Sequence, residues 1–145
     1  MRSKLLTLLF VLLSVHVFLP WQALSQAKGD GITATVPQQL TLVQAVMCEK
    51  IEEHAPQNQA IVFSITNGKV CCFTSFDPVP EKTVIYHNWF YRDKLTARVK
   101  LSLQPPRWST FSRIQLRESD KGPWRVEITD RKGALLRTVR FSITD

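Results

Sequence analysis

Tyr86-His87-Asn88-Trp89-Phe90-Tyr91 sets four aromatic rings, an imidazole and an amide in six consecutive positions. No other stretch of the chain is as dense in groups that both pack and recognise. In an extended strand, side chains alternate between faces. Ile85, His87, Trp89 and Tyr91 then share one face, and Tyr86, Asn88 and Phe90 the other. Aromatic faces lie against sugar C–H groups or cations, and His and Tyr add directional hydrogen bonds. Phe90 has no polar group to satisfy, whereas His87 and Tyr91 do, so the chemistry predicts a buried Tyr86/Phe90 face. The His87/Trp89/Tyr91 face is expected to be partly open, as a shallow platform. A core Trp with a hydrogen-bonded His beside it is the competing reading. Arg107, next to Trp108, has the chemistry to stack on a ring or clamp a carboxylate, or to cover a core ring with its stem. His87, Trp89, Tyr91 and Arg107 are therefore the expected ligand-binding residues.

Support for catalysis is thin, and no catalytic residue is assigned. The chain has no Gly-x-Ser-x-Gly elbow, no Gly-rich phosphate loop and no His-Glu-x-x-His pair. A free Cys with His87 would make a nucleophilic pair only if the fold joined them. Cys48, His54 and Cys72 lack the paired Cys-x-x-Cys spacing of a metal site, so neither metal nor cofactor is expected.

Met1-Arg2-Ser3-Lys4 precedes an apolar run from Leu5 to Leu19. That order describes a signal peptide, and the run is short for a membrane span, which needs about 20 apolar residues. Ser25 and Ala27 stand at signal-peptidase spacing, which predicts cleavage after Ala27 and delivery to the periplasm or the cell exterior. Ala23 and Ser25 would allow a cut two residues earlier, and an uncleaved anchor is the alternative. Removing 27 of 145 residues leaves 118, enough for one domain with a core. Of the 19 Lys and Arg, Arg2 and Lys4 depart with the leader; the 17 left against 12 acids make +5. A basic excess suits anionic partners as well as solubility, and export argues against nucleic acid. In an oxidising compartment two of Cys48, Cys71 and Cys72 are expected to pair. Neighbours on a strand point to opposite faces, so the pair is Cys48 with either Cys71 or Cys72.

The elements that would position these residues are strands. Residues 28–39 are polar, with Gly29, Gly31 and Pro37, and read as a flexible leader. Leu40–Ile51 fits a helix or a strand, and the β character of the downstream chain favours the strand. Glu52–Gln59 reads as a loop. Ile61–Thr66 and Lys69–Phe76 flank Asn67-Gly68, a hairpin signal because both residues tolerate positive φ. Asp77-Pro78-Val79-Pro80 interrupts the next connection. Lys82–Tyr91 is the aromatic strand, turned by Arg92-Asp93-Lys94 into Leu95–Leu103. There Leu95, Ala97, Val99, Leu101 and Leu103 alternate with Thr96, Arg98, Lys100 and Ser102; the apolar set is expected to face the core and the other to form a wet, basic outer face. Arg107–Leu116, the Trp124/Val126/Ile128 strand and Ala134–Ile143 complete the set, with Trp124 in the core and a bulge or a sheet edge near Arg137. Residues 40–145 are thus predicted to be a single antiparallel β-sandwich of seven to eight strands, immunoglobulin-like.

Met47-Cys48-Glu49, Val70 with Cys72-Phe73-Thr74, Tyr86-His87-Asn88-Trp89, Arg107–Ser112 and Gly122–Ile128 with Asp130 and Gly133 resemble the bacterial domain of unknown function 2914 family. The resemblance covers roughly residues 40–144. It implies an exported or membrane-attached β-domain and carries over no catalytic residue. Cys72 falls in the family pattern and Cys71 is the extra one, so the resemblance favours a Cys48–Cys72 disulfide. The function expected is a non-catalytic binding or interaction module of the cell envelope, with a partner protein or an anionic glycan as ligand. A small envelope-polymer hydrolase is the alternative.

Overall fold

Residues 38–145 are described in the computed structural model. The expected signal peptide, its cleavage site and most of the leader lie outside the described residues. The rest is all-β: two sheets packed face to face with the apolar side chains between them. The strands are β1 (Leu42–Glu52), β2 (Ala55–Gln59), β3 (Val62–Ser64), β4 (Lys69–Phe76), β5 (Thr83–Tyr91), β6 (Lys94–Leu103), β7 (Trp108–Gln115), β8 (Gly122–Asp130) and β9 (Leu135–Thr144). One sheet has the order β2-β1-β4-β7 and the other β3-β9-β8-β5-β6. All pairings are antiparallel except β3 with β9.

Two local readings change. Residues 52–59 are a tight hairpin rather than a loop: Glu53 and His54 turn with φ of 48° and 63°, and β2 returns along β1. β2 reads Ala-Pro-Gln-Asn-Gln, with no apolar alternation, because it is an edge strand held on one side only. Asn67-Gly68 does not close a hairpin. Ser64 accepts a bond from the Thr66 N–H, residues 65–67 form a 3-10 turn, and Gly68 ends it at φ 71°. The glycine is used as its chemistry suggests, but the chain crosses between sheets here, so β3 and β4 never pair.

The aromatic strand β5 is an inner strand, between β6 and β8. Its turn to β6 uses Arg92 and Asp93 at φ 44° and 67°, the two-residue geometry that matches strand twist. A bulge then shifts the register: Trp89 faces Ala97, but Phe90 faces Leu95. Thr96 fills the extra position and donates its hydroxyl to the Trp89 carbonyl at 3.0 Å. The extra residue reverses the alternation, so Leu95 lands on the outer face with Phe90 and is 49% exposed. The expectation that Leu95 faces the core fails for this reason, while Leu103 is fully buried and Ala97, Val99 and Leu101 pack against the core. Of the bulge or edge expected near Arg137, the structure has the bulge: Ile128 pairs Arg137 and Thr129 pairs Leu135.

The core sorts around rings. Phe141 lies edge-on to Trp89 and Phe63, at 6.0 and 6.2 Å between centroids, and stacks on Trp124 at 6.0 Å. Trp124 is buried as expected and donates its indole N–H to the Asp120 carbonyl at 2.7 Å. Phe76, Val79, Ile85, Leu103 and Ile128 close the other end.

Candidate binding face

The platform expected on β5 is turned the other way. His87 and Trp89 are both 0% exposed, and Tyr91 is half-buried, whereas Tyr86, Asn88 and Phe90 line the outer side. The reason is supplied by the opposite sheet. Thr74 on β4 and Ser112 on β7 bring hydroxyls into the core, where His87 Nε2 meets Thr74 Oγ1 at 3.1 Å and Nδ1 meets Ser112 Oγ at 2.8 Å. The Trp89 indole N–H donates to the same Ser112 Oγ at 2.9 Å. The need for hydrogen bonds that favoured an open face is thus met inside. Tyr91 reaches out of the core edge to donate to the Lys121 carbonyl at 2.7 Å.

This network is tautomer-coupled. If the Ser112 O–H donates a hydrogen bond to Nδ1, then Nε2 carries the ring hydrogen and donates to Thr74; reversing one bond reverses the other. Burial lowers the His87 pKa to about 4, so the ring is neutral near pH 7. Ser112 and His87 have the pairing of a nucleophile and its base, but both are sealed between the sheets, and among the described residues no carboxylate bonds the ring. What the arrangement does is tie the two sheets together through one satisfied polar link.

Arg107 is brought to none of the other three expected residues. It sits ahead of β7, beside a depression lined by Trp108, Val43 and Asp77, while His87 and Trp89 face inward. Trp108 is 41% exposed, so Arg107 covers no core ring.

The face that combines recognition chemistry is the outer side of β9-β8-β5-β6. Register places Arg140, Arg125 and Phe90 in one row; Thr138, Glu127, Asn88 and Arg98 in the next; and Thr129, Tyr86 and Lys100 in a third. The Arg98 guanidinium lies 4.0 Å from the Tyr86 ring centroid, and that of Arg125 lies 4.1 Å from Phe90. Arg125 is also paired with Asp93 and with Glu127, the latter at 2.9 Å. Arg98, Lys100 and Arg140 make no ion pair among the described residues. Asn88 holds the middle of the face by donating to the Glu127 carbonyl and to Thr129. Phe90, Arg92, Asp93, Pro123, Arg125 and Arg140 border a shallow hollow of about 130 Å³ at one corner. A guanidinium seated over a ring keeps N–H groups for carboxylate or phosphate oxygens, as at Arg98, whereas those of Arg125 already serve Asp93 and Glu127. The signal for this face was the run Thr96, Arg98, Lys100 and Ser102, already legible as a basic outer side. Its partners across the hairpin needed the register.

The cysteines also rearrange. Cys48 faces Cys71 across β1 and β4, while Cys72 faces Met47. Cys72 points between the sheets into the core with Val70 and Trp89; Cys48 and Cys71 point out the other side with Phe73. A Cys48–Cys72 bond would join side chains on opposite faces of a sheet, so the expected disulfide is overturned. All three are free thiols in this structure. Burial pushes the Cys72 thiol up to about 12. The Cys71 thiol donates to the Glu49 carbonyl at 3.9 Å. The neighbouring Cys48, with Lys69 and Arg113, lowers the Cys71 pKa against the opposing effect of burial, and Cys48 rises correspondingly.

Fold and face together define a small β-sandwich that carries an arginine–aromatic surface on its larger sheet. Residues 82–143 match the family model described as protein of unknown function (DUF2914), and the resemblance read from the sequence motifs holds over that span, β5 to β9. The motifs at Met47–Glu49 and Val70–Thr74 precede it. No curated protein matches the chain. Among solved structures, a β-glucosidase from Listeria innocua in complex with glucose is similar at 10% identity and a TM-score of 0.45, covering 74% of this chain and 16% of the enzyme. A mutant of that enzyme in complex with laminaribiose is similar at 10% identity and a TM-score of 0.43, with the same coverage. The chain therefore spans under a fifth of the length of these enzymes, and nothing of their chemistry carries over to it.

Proposed function

We propose that this domain is a non-catalytic binding module of the cell envelope, exported by its N-terminal segment, whose ligand is an anionic glycan. The observation that carries the reading is the outer face of the five-stranded sheet: Arg98 over Tyr86, Arg125 over Phe90, and Lys100 and Arg140 beside them without acidic partners among the described residues. Rings fix the cations, and an inner-strand position holds the rings, so the face is rigid before any ligand arrives. Flat sheet surfaces of this kind fit extended polymers better than they fit a small substrate, which prefers a concave site. The hydrolase alternative has less in its favour, because the histidine of the chain's densest functional stretch bonds two hydroxyls in the core.

Binding of the full chain to polygalacturonate, with neutral dextran as reference, tests the reading by calorimetry across a salt series. Binding to the acidic polymer that weakens with salt and drops at least tenfold in Arg98→Ala/Arg140→Ala supports it. Equal binding to dextran, or no effect of the double substitution, refutes it.

A further inference from the structure

We propose that Cys48 and Cys71 form a redox pair that closes into a cross-strand disulfide by exchange with a disulfide-bearing donor, leaving Cys72 as a permanent core thiol. Three independent features of the fold lead there. First, the two residues are direct partners in the antiparallel β1–β4 ladder. Directly opposed residues of such a ladder have Cα atoms about 4.5–5.5 Å apart, inside the roughly 4.4–6.8 Å span that a disulfide bridges. Second, both side chains lie on the outer side of the sheet, in a cluster of their own with Phe73, Val46 and Ile51. Third, the row continues into Arg113, the register partner of Cys71 on β7, and Lys69 lies two residues away on the same strand face. Positive charge beside Cys71 favours its thiolate, the attacking species in exchange.

The chemistry then runs in two displacements. Cys71 gives its proton to solvent and its thiolate attacks one sulfur of the donor disulfide. The donor S–S bond breaks, a Cys71–donor mixed disulfide forms, and the first donor thiolate departs. Cys48 then loses its proton and attacks Cys71 Sγ, expelling the second donor thiolate. Two protein thiols have lost two electrons and two protons, and the donor disulfide has become two thiols. Cys71 is only 3% exposed and Cys48 is covered, so the donor is met as β1 and β4 pair, before Phe73, Val46 and Ile51 settle over them. The closed loop carries β2, β3 and the crossing from one sheet to the other. A bridge here thus restrains the segment with the fewest ladder partners. It lies on the smaller sheet, apart from the arginine–aromatic face, and stands whether or not that face binds a glycan.

The test uses the full chain, purified reduced, unfolded and refolded in excess oxidised glutathione, then alkylated and mapped without reduction. No lysine or arginine separates Cys71 from Cys72, so substitutions assign the link. Wild type and Cys72→Ala should each lose two hydrogens in mass and yield a peptide crosslinked to Cys48, while Cys71→Ser should yield none. Fragmentation of the wild-type crosslink gives the same answer if a variant fails to fold. The oxidised protein should shift its folding equilibrium on the order of 100-fold toward the folded state, as closing a loop of this size does. A Cys48–Cys72 link, a link between chains alone, or three alkylatable thiols after oxidative refolding overturns the proposal.

Discussion

Ser112→Ala probes the single point on which the interior polar link depends. The Ser112 side chain is 4% exposed, and its one oxygen serves both the Trp89 N–H at 2.9 Å and His87 Nδ1 at 2.8 Å. Removing it strands an indole donor and one imidazole nitrogen where water has no room. Each buried group left unpaired costs roughly 1–3 kcal/mol, and losing one small hydroxyl changes packing little, so about 2–6 kcal/mol of stability should disappear. The histidine has one partial escape. It can settle in the tautomer whose hydrogen points to Thr74, leaving Nδ1 a bare acceptor, which places the expectation in the lower half of that range. Ser109→Ala is the control: it lies on the same strand, is exposed, and should change stability by less than about 0.5 kcal/mol. Urea unfolding of wild type and both variants near pH 7, followed by Trp fluorescence, measures the difference. If Ser112→Ala unfolds within about 0.5 kcal/mol of wild type, the hydroxyl is not holding these groups, and the account of why His87 and Trp89 point inward is wrong.

Trp89→Ala should cost roughly 3–5 kcal/mol, the range of a core aromatic truncation, in the same unfolding assay. A loss under about 1 kcal/mol would return the ring to the surface. His87 makes stability depend on pH. Its pKa falls from the ordinary 6.5 to about 4 on folding, so the unfolded chain takes up a proton first. Its contribution is complete above pH 6.5, declines as the pH drops toward 4, and amounts to roughly 3 kcal/mol across that window. Urea midpoints through this range should show the slope in wild type and its loss in His87→Gln. Leu95→Lys should leave stability within about 0.5 kcal/mol of wild type, because the bulge has put that side chain outside, whereas Leu103→Ala should cost roughly 2–5.

Strand count apart, the all-β sandwich could be read from the chain. Alternation along residues 95–103, 124–128 and 139–143, with turn residues between, is a local property that survives into the fold wherever one face is wet. The edges were less legible. β2 has no alternation because only one neighbour holds it, and the chain after Ser64 turns where a hairpin was expected because the partner of β3 is β9, far away in sequence. Single positions were lost for a similar reason. One inserted residue at Thr96 reverses the face of Leu95, and the composition of the strand carries no mark of it.

The candidate site divides along the same line. Sequence alone determined that Tyr86–Tyr91 is a strand with two aromatic faces, that a basic strand comes after it, and that Cys71 and Cys72 must point apart. Only tertiary structure decided which aromatic face is wet. That choice rests on Thr74 and Ser112, two hydroxyls on strands of the opposite sheet, which satisfy the imidazole and the indole once the sheets meet. Likewise, the partner of Cys48 was settled by the register of β1 on β4, which places Cys71 opposite it and sends Cys72 into the core. Alternation is a property of a single strand; burial and register are properties of pairs of strands, and a chain read one residue after another does not contain them.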